Sequence, residues 1–319
     1  MLFEETHLSR VLGLVLRDGR RVVLKVRRAQ DRLHGCVAVQ RHLWRTGLPC
    51  PEPLAGPGPL VGRVGPSAAE RLPGIAVHHW VASAEAYLPG GQLLPDACQH
   101  PARFATALAL LVRLAPAPRA VPSLAPPPPW VGWAHDGAGV WPWPDDLDVD
   151  LNSVATPAWL DALGHRVRER LQRAENAGRF PRLIGHADWE SQNLRWNVGA
   201  GDATLHAVHD WDSVVALPEC MLAGAAAAVF PATGRPLTDA TVEETAAFLD
   251  AYARARGAPW SVEERELAWS AGLWVRAFNA KKAAARGGGT AVVAAFAAEA
   301  QGRLARAGTF PGLPSFQRP

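Results

Sequence analysis

Lysine is almost missing from this 319-residue chain: Lys25, Lys281 and Lys282 are the whole complement, against thirty arginines. Arginine counts therefore carry little functional meaning here, and a lone lysine carries more. Cysteine is also scarce. Cys36, Cys50, Cys98 and Cys220 are far apart and form no C-x-x-C pair, which excludes a disulfide frame and a zinc ribbon. No uncharged apolar run is long enough to span a membrane; the most apolar window, Leu222 to Ala232, is too short. The start, Met1-Leu2-Phe3-Glu4-Glu5, lacks the basic-then-apolar order of a signal peptide. Together with reduced thiols this predicts a cytoplasmic protein. A net charge of +3, with arginines scattered and not interleaved with aromatics, excludes nucleic acid as a partner. No internal repeat is present. The length suits one large domain or two lobes.

What is present is concentrated in one stretch. Ile184-Gly185-His186-Ala187-Asp188-Trp189-Glu190-Ser191-Gln192-Asn193 is followed by His209-Asp210-Trp211-Asp212. It contains His-x-Asp, an Asn five residues after that Asp, and a later Asp. Phosphoryl transfer uses such a set: one carboxylate orients the attacking hydroxyl, while an amide oxygen and a second carboxylate hold the magnesium that bridges the nucleotide phosphates. The surroundings read as a hairpin. Leu194-Arg195-Trp196 leaves the motif, Gly199 to Asp202 turns, and Leu205 to Val208 returns. Asp188 and Asn193 precede the first strand and Asp210 follows the second, so the metal-side groups share one end. The plain alternative is a polar loop in which Asp and Asn cap turns.

The segment resembles the catalytic and metal-binding loops of the aminoglycoside phosphotransferase-like family, a branch of the protein-kinase-like fold. By motif position the resemblance implies Asp188 as catalytic base, Asn193 and Asp210 as magnesium ligands, and His186 as a structural brace. It implies an α+β, two-lobed protein-kinase-like fold with a small β-rich N-terminal lobe and a large, mainly helical C-terminal lobe. We place the boundary so that residues 1–84 form the nucleotide-binding lobe and 85–319 the catalytic and acceptor-binding lobe.

The rest of the chain is read against that pattern. Val11 to Leu16 and Val22 to Val26 flank Asp18-Gly19 as a hairpin, and Lys25 in its second strand is the expected phosphate-gripping lysine. Residues 31–46 predict a helix, ended by Gly47-Leu48-Pro49-Cys50-Pro51. Two departures stand out. The family's helix carries a Glu that pairs with the lysine, yet 32–46 holds no acidic residue and its place falls near Cys36. The phosphate loop is reduced to Glu5-Thr6-His7-Leu8-Ser9-Arg10, without glycine. Pro53 to Gly65 reads as a connection, and Ala76 to Ala82 and Ala84 to Leu88 as strand segments. Glu85 and Tyr87 are expected at the hinge that meets the adenine. Pro101 to Leu114 and Pro157 to Ala177 predict amphipathic helices, and further helices are expected near 219–230, 239–256, 261–286 and 290–307.

Between them lies a Pro-rich connector and then Trp130, Trp133, Trp141 and Trp143, with Asp145, Asp146, Asp148 and Asp150 behind. Aromatic faces beside carboxylates can hold an organic cation, making Trp141 and Trp143 acceptor-site candidates; the competing reading is that the tryptophans pin a loop. Lys281 and Lys282 read as a solvated helix end. His206 and His209, three apart in a strand, point to opposite faces and are discounted as a metal pair.

The combined expectation is a small-molecule kinase. It would move the γ-phosphate of ATP or GTP, with Mg2+, onto a hydroxyl of a small acceptor, with an aminoglycoside-like or other antibiotic among the candidates. The alternatives are a metabolite kinase for an amino alcohol or sugar, and a pseudokinase that binds without turnover. Asp212 is left open between the metal and the acceptor.

Overall fold

Two β-branched runs around Asp18-Gly19 fold back on each other because Gly19 accepts a φ of +83°, closing the turn with a bond from its N–H to the Leu16 carbonyl. They form strands β2 (Arg10–Val15) and β3 (Arg21–Arg28), with β1 (Phe3–Thr6) antiparallel on the outer side of β2. The computed structural model describes residues 1–6, 8–59, 80–199, 203–234, 238–287 and 289–310. Helix α1 (Arg32–Arg45) follows, then β4 (Pro53–Pro59) and β5 (Trp80–Ala86). The five strands make one antiparallel sheet in the order β1-β2-β3-β5-β4.

The stretch from Pro53 is thus a strand where a connection was expected. Its prolines fit because β4 is an edge strand with an irregular register, where missing N–H donors cost little. The predicted break between Ala82 and Ala84 does not occur, since β5 runs unbroken through Ser83 opposite β3. The remaining parts of those two readings, 60–65 and 76–79, lie outside the described residues.

The second lobe starts with α2 (Pro101–Leu114) and continues through an irregular segment to α3 (Ala158–Asn176). Two small ribbons carry the motif: β6 (Arg182–His186) pairs with β9 (Val214–Pro218), and β7 (Leu194–Val198) pairs with β8 (Ala203–Val208). Helices α4 (Glu219–Val229), α5 (Val242–Arg256), α6 (Val262–Ala285) and α7 (Thr290–Arg306) complete it. Thr241-x-x-Glu244 and Ser261-x-x-Glu264 start α5 and α6 as reciprocal capping boxes. Past Glu219, helix α4 is apolar and buried all round. It approaches α6 so closely that a Cβ on Gly224 would lie 1.9 Å from the Ala268 carbonyl oxygen, so only glycine fits. The core is aromatic: Phe104, Trp133, Trp141, Trp189, Trp211, Phe230, Phe248, Tyr252 and Trp274 are all buried. No helix among the described residues is long and apolar enough to cross a membrane.

Candidate active site

The floor of the site is built from the two ribbons. Strand β6 ends at His186, whose buried ring donates from Nε2 toward the carbonyls of His209 (3.0 Å) and Asp210 (2.9 Å). Burial first, against the pull of Asp210, lowers the pKa of this histidine, so it stays neutral and acts as a donor to backbone. The bonds hold Asp210 at φ +59°, a left-handed conformation that Asp tolerates better than most residues. The His209 N–H also binds the Asn193 carbonyl at 2.9 Å. The two ends of the β7–β8 hairpin are thereby locked beside Asp188.

Asn193 is turned inward. Its amide nitrogen donates to the Asp188 carboxylate (2.7 Å) and to the Asp188 carbonyl (2.9 Å). Its amide oxygen has no hydrogen-bond partner among the described residues and remains an acceptor for a cation. Asp210 presents a carboxylate whose side chain is 45% exposed, next to it in the chain fold. Among the described residues no three His, Cys, Asp or Glu side chains converge on a preformed metal cage. An amide oxygen plus one carboxylate fits magnesium, which keeps waters and takes its other ligands from phosphate oxygens. Burial, and then the charge of Asp210, push the Asp188 carboxyl up to about 7, with the Asn193 bond opposing. A general base works best near the operating pH.

Lys25 closes the site from the small lobe. In the sheet it faces Val11 on β2 and Ser83 on β5. Its ammonium lies 3.7 Å from Glu85 and 4.0 Å from Asp210. Burial pushes its pKa down, but Glu85, Asp212 and Asp210 outweigh that and hold it above its ordinary value. The expected acid on α1 is indeed missing, and Cys36 instead sets its thiol against the Asp212 carbonyl at 3.7 Å. Glu85 takes the vacant role from strand β5, with its other oxygen accepting from Gln40 of α1 at 3.0 Å. Glu85 is thus corrected from a hinge residue to the lysine's partner, because residues two apart on a strand share a face. Tyr87 leaves the sheet beside it. Its N–H is bound to the Arg21 carbonyl at 3.1 Å, and its ring stands 6.3 Å from that of Phe3.

Asp212 lies toward the basic groups of the small lobe. It forms an ion pair with Arg27 at 2.8 Å, and its carbonyl accepts from Arg32. Arg32 also reaches the Val214 carbonyl at 2.5 Å, so α1 grips the loop that carries Asp210.

The tryptophan-rich segment packs against the loop that carries Asp188. Trp130 donates to the Ala187 carbonyl (3.1 Å) and Trp133 to Glu175 (2.6 Å). Trp141 is corrected from the acceptor wall to the core. It is 2% exposed, lies 5.2 Å from Trp274 and donates to Asp161 at 2.7 Å. Trp143 alone of the four is open to solvent, at 57%. Arg168 fastens the same segment by donating to the carbonyls of Trp133, His135 and Gly139. The lysine pair is corrected too. Lys281 is fully buried and bonded to Asp161, Thr156 and the Val154 carbonyl, while Lys282 pairs with Asp146 at 3.1 Å. A buried ammonium needs such partners, and the segment 141–161 supplies them.

Sequence reading missed several residues. Glu190 sits two residues past Asp188, and burial and the Asp188 charge hold its carboxyl well above the usual range. An acid so close to Asp188 was the available signal. Gln40, Arg27 and Arg32 left none, because the carboxylates and carbonyls they meet at the site, on Glu85 and Asp212, lie 45 or more residues away in sequence.

Comparison with known proteins follows the same lines. The model of the phosphotransferase enzyme family matches residues 9–269. Among solved structures, the chain resembles the amicoumacin kinase hAmiN in complex with AMP-PNP, Ca2+ and Ami, at 11% identity and TM-score 0.58, covering 98% of this chain and 89% of that one. It resembles a Plasmodium vivax ethanolamine kinase at 11% identity and TM-score 0.55, covering 95% and 80%. A thermostable mutant of aminoglycoside phosphotransferase APH(4)-Ia, in ternary complex with AMP-PNP and hygromycin B, matches at 17% identity and TM-score 0.51, covering 96% and 91%. No curated protein matches the sequence. At such identities the structures speak for the two-lobed kinase-like fold. The family match covers most of the chain, and the chain belongs to the phosphotransferase enzyme family.

Proposed function

We propose that this protein transfers the γ-phosphate of ATP to a hydroxyl of a small molecule, with Asp188 as the base that orients and deprotonates that hydroxyl. The observation that carries this reading is the convergence of five groups from two lobes. Asn193 bonds Asp188, and Lys25 stands between Glu85 and Asp210. Asn193 and Asp210 would hold Mg2+, whose charge offsets that developing on the phosphoryl oxygens. Lys25 grips the phosphates as a point charge. Most of the acceleration comes from position and electrostatics, since the transition state is loose. His186 braces the loop through the backbone of residues 209 and 210.

The nucleotide lies between residues 1–84 and 85–319, with β5 carrying the crossing. The hinge side beyond Ala86, including Tyr87, borders the adenine. A pseudokinase is disfavoured by Glu85, which removes the main argument for a broken lysine site. Neighbours in the fold include an amicoumacin kinase and an ethanolamine kinase, and acceptors of both kinds belong in the test. Trp143, with the exposed Asp145 and Asp148, is the acceptor-facing candidate. The test is hydroxyl-dependent ADP release from Mg-ATP across hygromycin B, other aminoglycosides, ethanolamine and simple sugars, repeated with GTP. No release above the protein-free rate with any acceptor, at protein that binds nucleotide, would refute turnover.

A further inference from the structure

We infer that Glu85 is the positioning residue for Lys25, and that the orientation of this phosphate-gripping lysine is set inside the β-sheet and not by helix α1. The inference rests on the kinase reading above. Lys25 and Ser83 are direct cross-strand partners, and Glu85 stands two residues further along β5 on the same face. Both strands are fixed by continuous antiparallel pairing from Val22 to Arg28. The ladder fixes the backbone that carries this carboxylate, whereas a carboxylate on a packed helix moves with the helix.

Helix α1 still touches the pair, but through a neutral group. Gln40 donates to Glu85 at 3.0 Å and to the Pro51 carbonyl at 3.0 Å. The charged contacts of α1 go elsewhere, through Arg32 to the carbonyls of Asp212 and Val214 in the metal-side loop. The two tasks are thereby split. The sheet orients the lysine, and the helix orients the loop that carries Asp210. Without the charge of Glu85, the nearest remaining carboxylate to Lys25 is Asp210, at 4.0 Å. The lysine would then be drawn onto a group that the metal needs.

The experiment is a double-mutant cycle on Mg-AMP-PNP binding, measured by titration calorimetry, so no acceptor need be known. Glu85→Gln keeps the shape of the side chain and is expected to bind about tenfold more weakly than the unmodified protein, equal to about 1.4 kcal/mol. Lys25→Met is expected to lose at least as much. The double variant is expected to match Lys25→Met alone, because Glu85 acts through the lysine. Unchanged affinity in Glu85→Gln overturns the inference, and so does a loss that multiplies with that of Lys25→Met. Gln40→Leu supplies a second reading should Glu85→Gln fail to fold. Its loss is expected to be clearly smaller than that of Lys25→Met, and an equal loss would return control of the lysine to the helix and overturn the inference. If the unmodified protein does not bind Mg-AMP-PNP at all, the kinase reading falls and takes the inference with it.

Discussion

Replacing Asp188 by Asn should make the protein worse as an enzyme and better as a folded chain, and the two effects can be measured apart. Asn keeps the size of the side chain and an oxygen that accepts from Asn193, so the 2.7 Å contact survives. It cannot accept the proton of an attacking hydroxyl, and removal of a general base typically lowers kcat ~10²- to 10⁴-fold. The stability effect comes from linkage. Burial and Asp210 push the folded-state pKa of Asp188 from 3.8 up to about 7. An acid with a raised folded pKa binds protons more readily folded than unfolded. It therefore costs nothing below the unfolded pKa, costs progressively more as pH rises through the interval, and costs its full amount above the folded pKa. That gap converts to at most about 4 kcal/mol, because solvent reaches part of the carboxylate. Asn carries no such cost. A chain of this size unfolds with an entropy that turns 1 kcal/mol into roughly 1.5 °C. Without metal or nucleotide, the variant should melt about 3–6 °C above the unmodified protein at pH 8, with the difference vanishing near pH 4. A difference that is the same at both pH values would refute the electrostatic account, and unmodified turnover would refute the catalytic one.

Three further outcomes are expected. Asp210→Ala should abolish the magnesium dependence of nucleotide binding, since Asn193 alone offers a neutral oxygen; calorimetry with and without the metal reads this, and equal Mg-AMP-PNP affinity in both proteins would remove Asp210 from the metal site. Asp161→Ala leaves the fully buried Lys281 ammonium without its carboxylate partner and should cost on the order of 3–5 kcal/mol, seen as a lower melting temperature and, because Trp141 also donates to Asp161, a changed near-ultraviolet tryptophan signal; an unchanged melting temperature would mean the contact is replaceable. Trp143→Leu should raise the acceptor KM without moving stability, whereas Trp141→Leu should mainly lower the melting temperature, by roughly 3 kcal/mol of lost core packing; the opposite pattern would mean that the buried ring and the exposed ring have been assigned the wrong way round.

Much of the molecule was written locally. The hairpin at Asp18-Gly19, the helices of the second lobe with their T-x-x-E and S-x-x-E starts, and the β7–β8 hairpin depend on propensity, turn chemistry and periodicity within one stretch. The candidate site was equally legible, because Asp188, Asn193 and Asp210 belong to a single loop–hairpin–loop segment. What the sequence could not show was which distant groups meet. The partner of Lys25 was sought on a helix, where the family resemblance puts it, and was found on a neighbouring strand. Only the β3–β5 pairing could reveal this, since sixty residues separate Lys25 from Glu85. Trp141 and Trp143 look alike in sequence. Tertiary packing buried the first against Trp274 and left the second in water. Lys281 and Lys282 read as a solvated end because charged pairs late in a helix usually are. Here the carboxylates of Asp161 and Asp146, brought in by the segment that folds over the lobe, pay for the burial of one and pin the other.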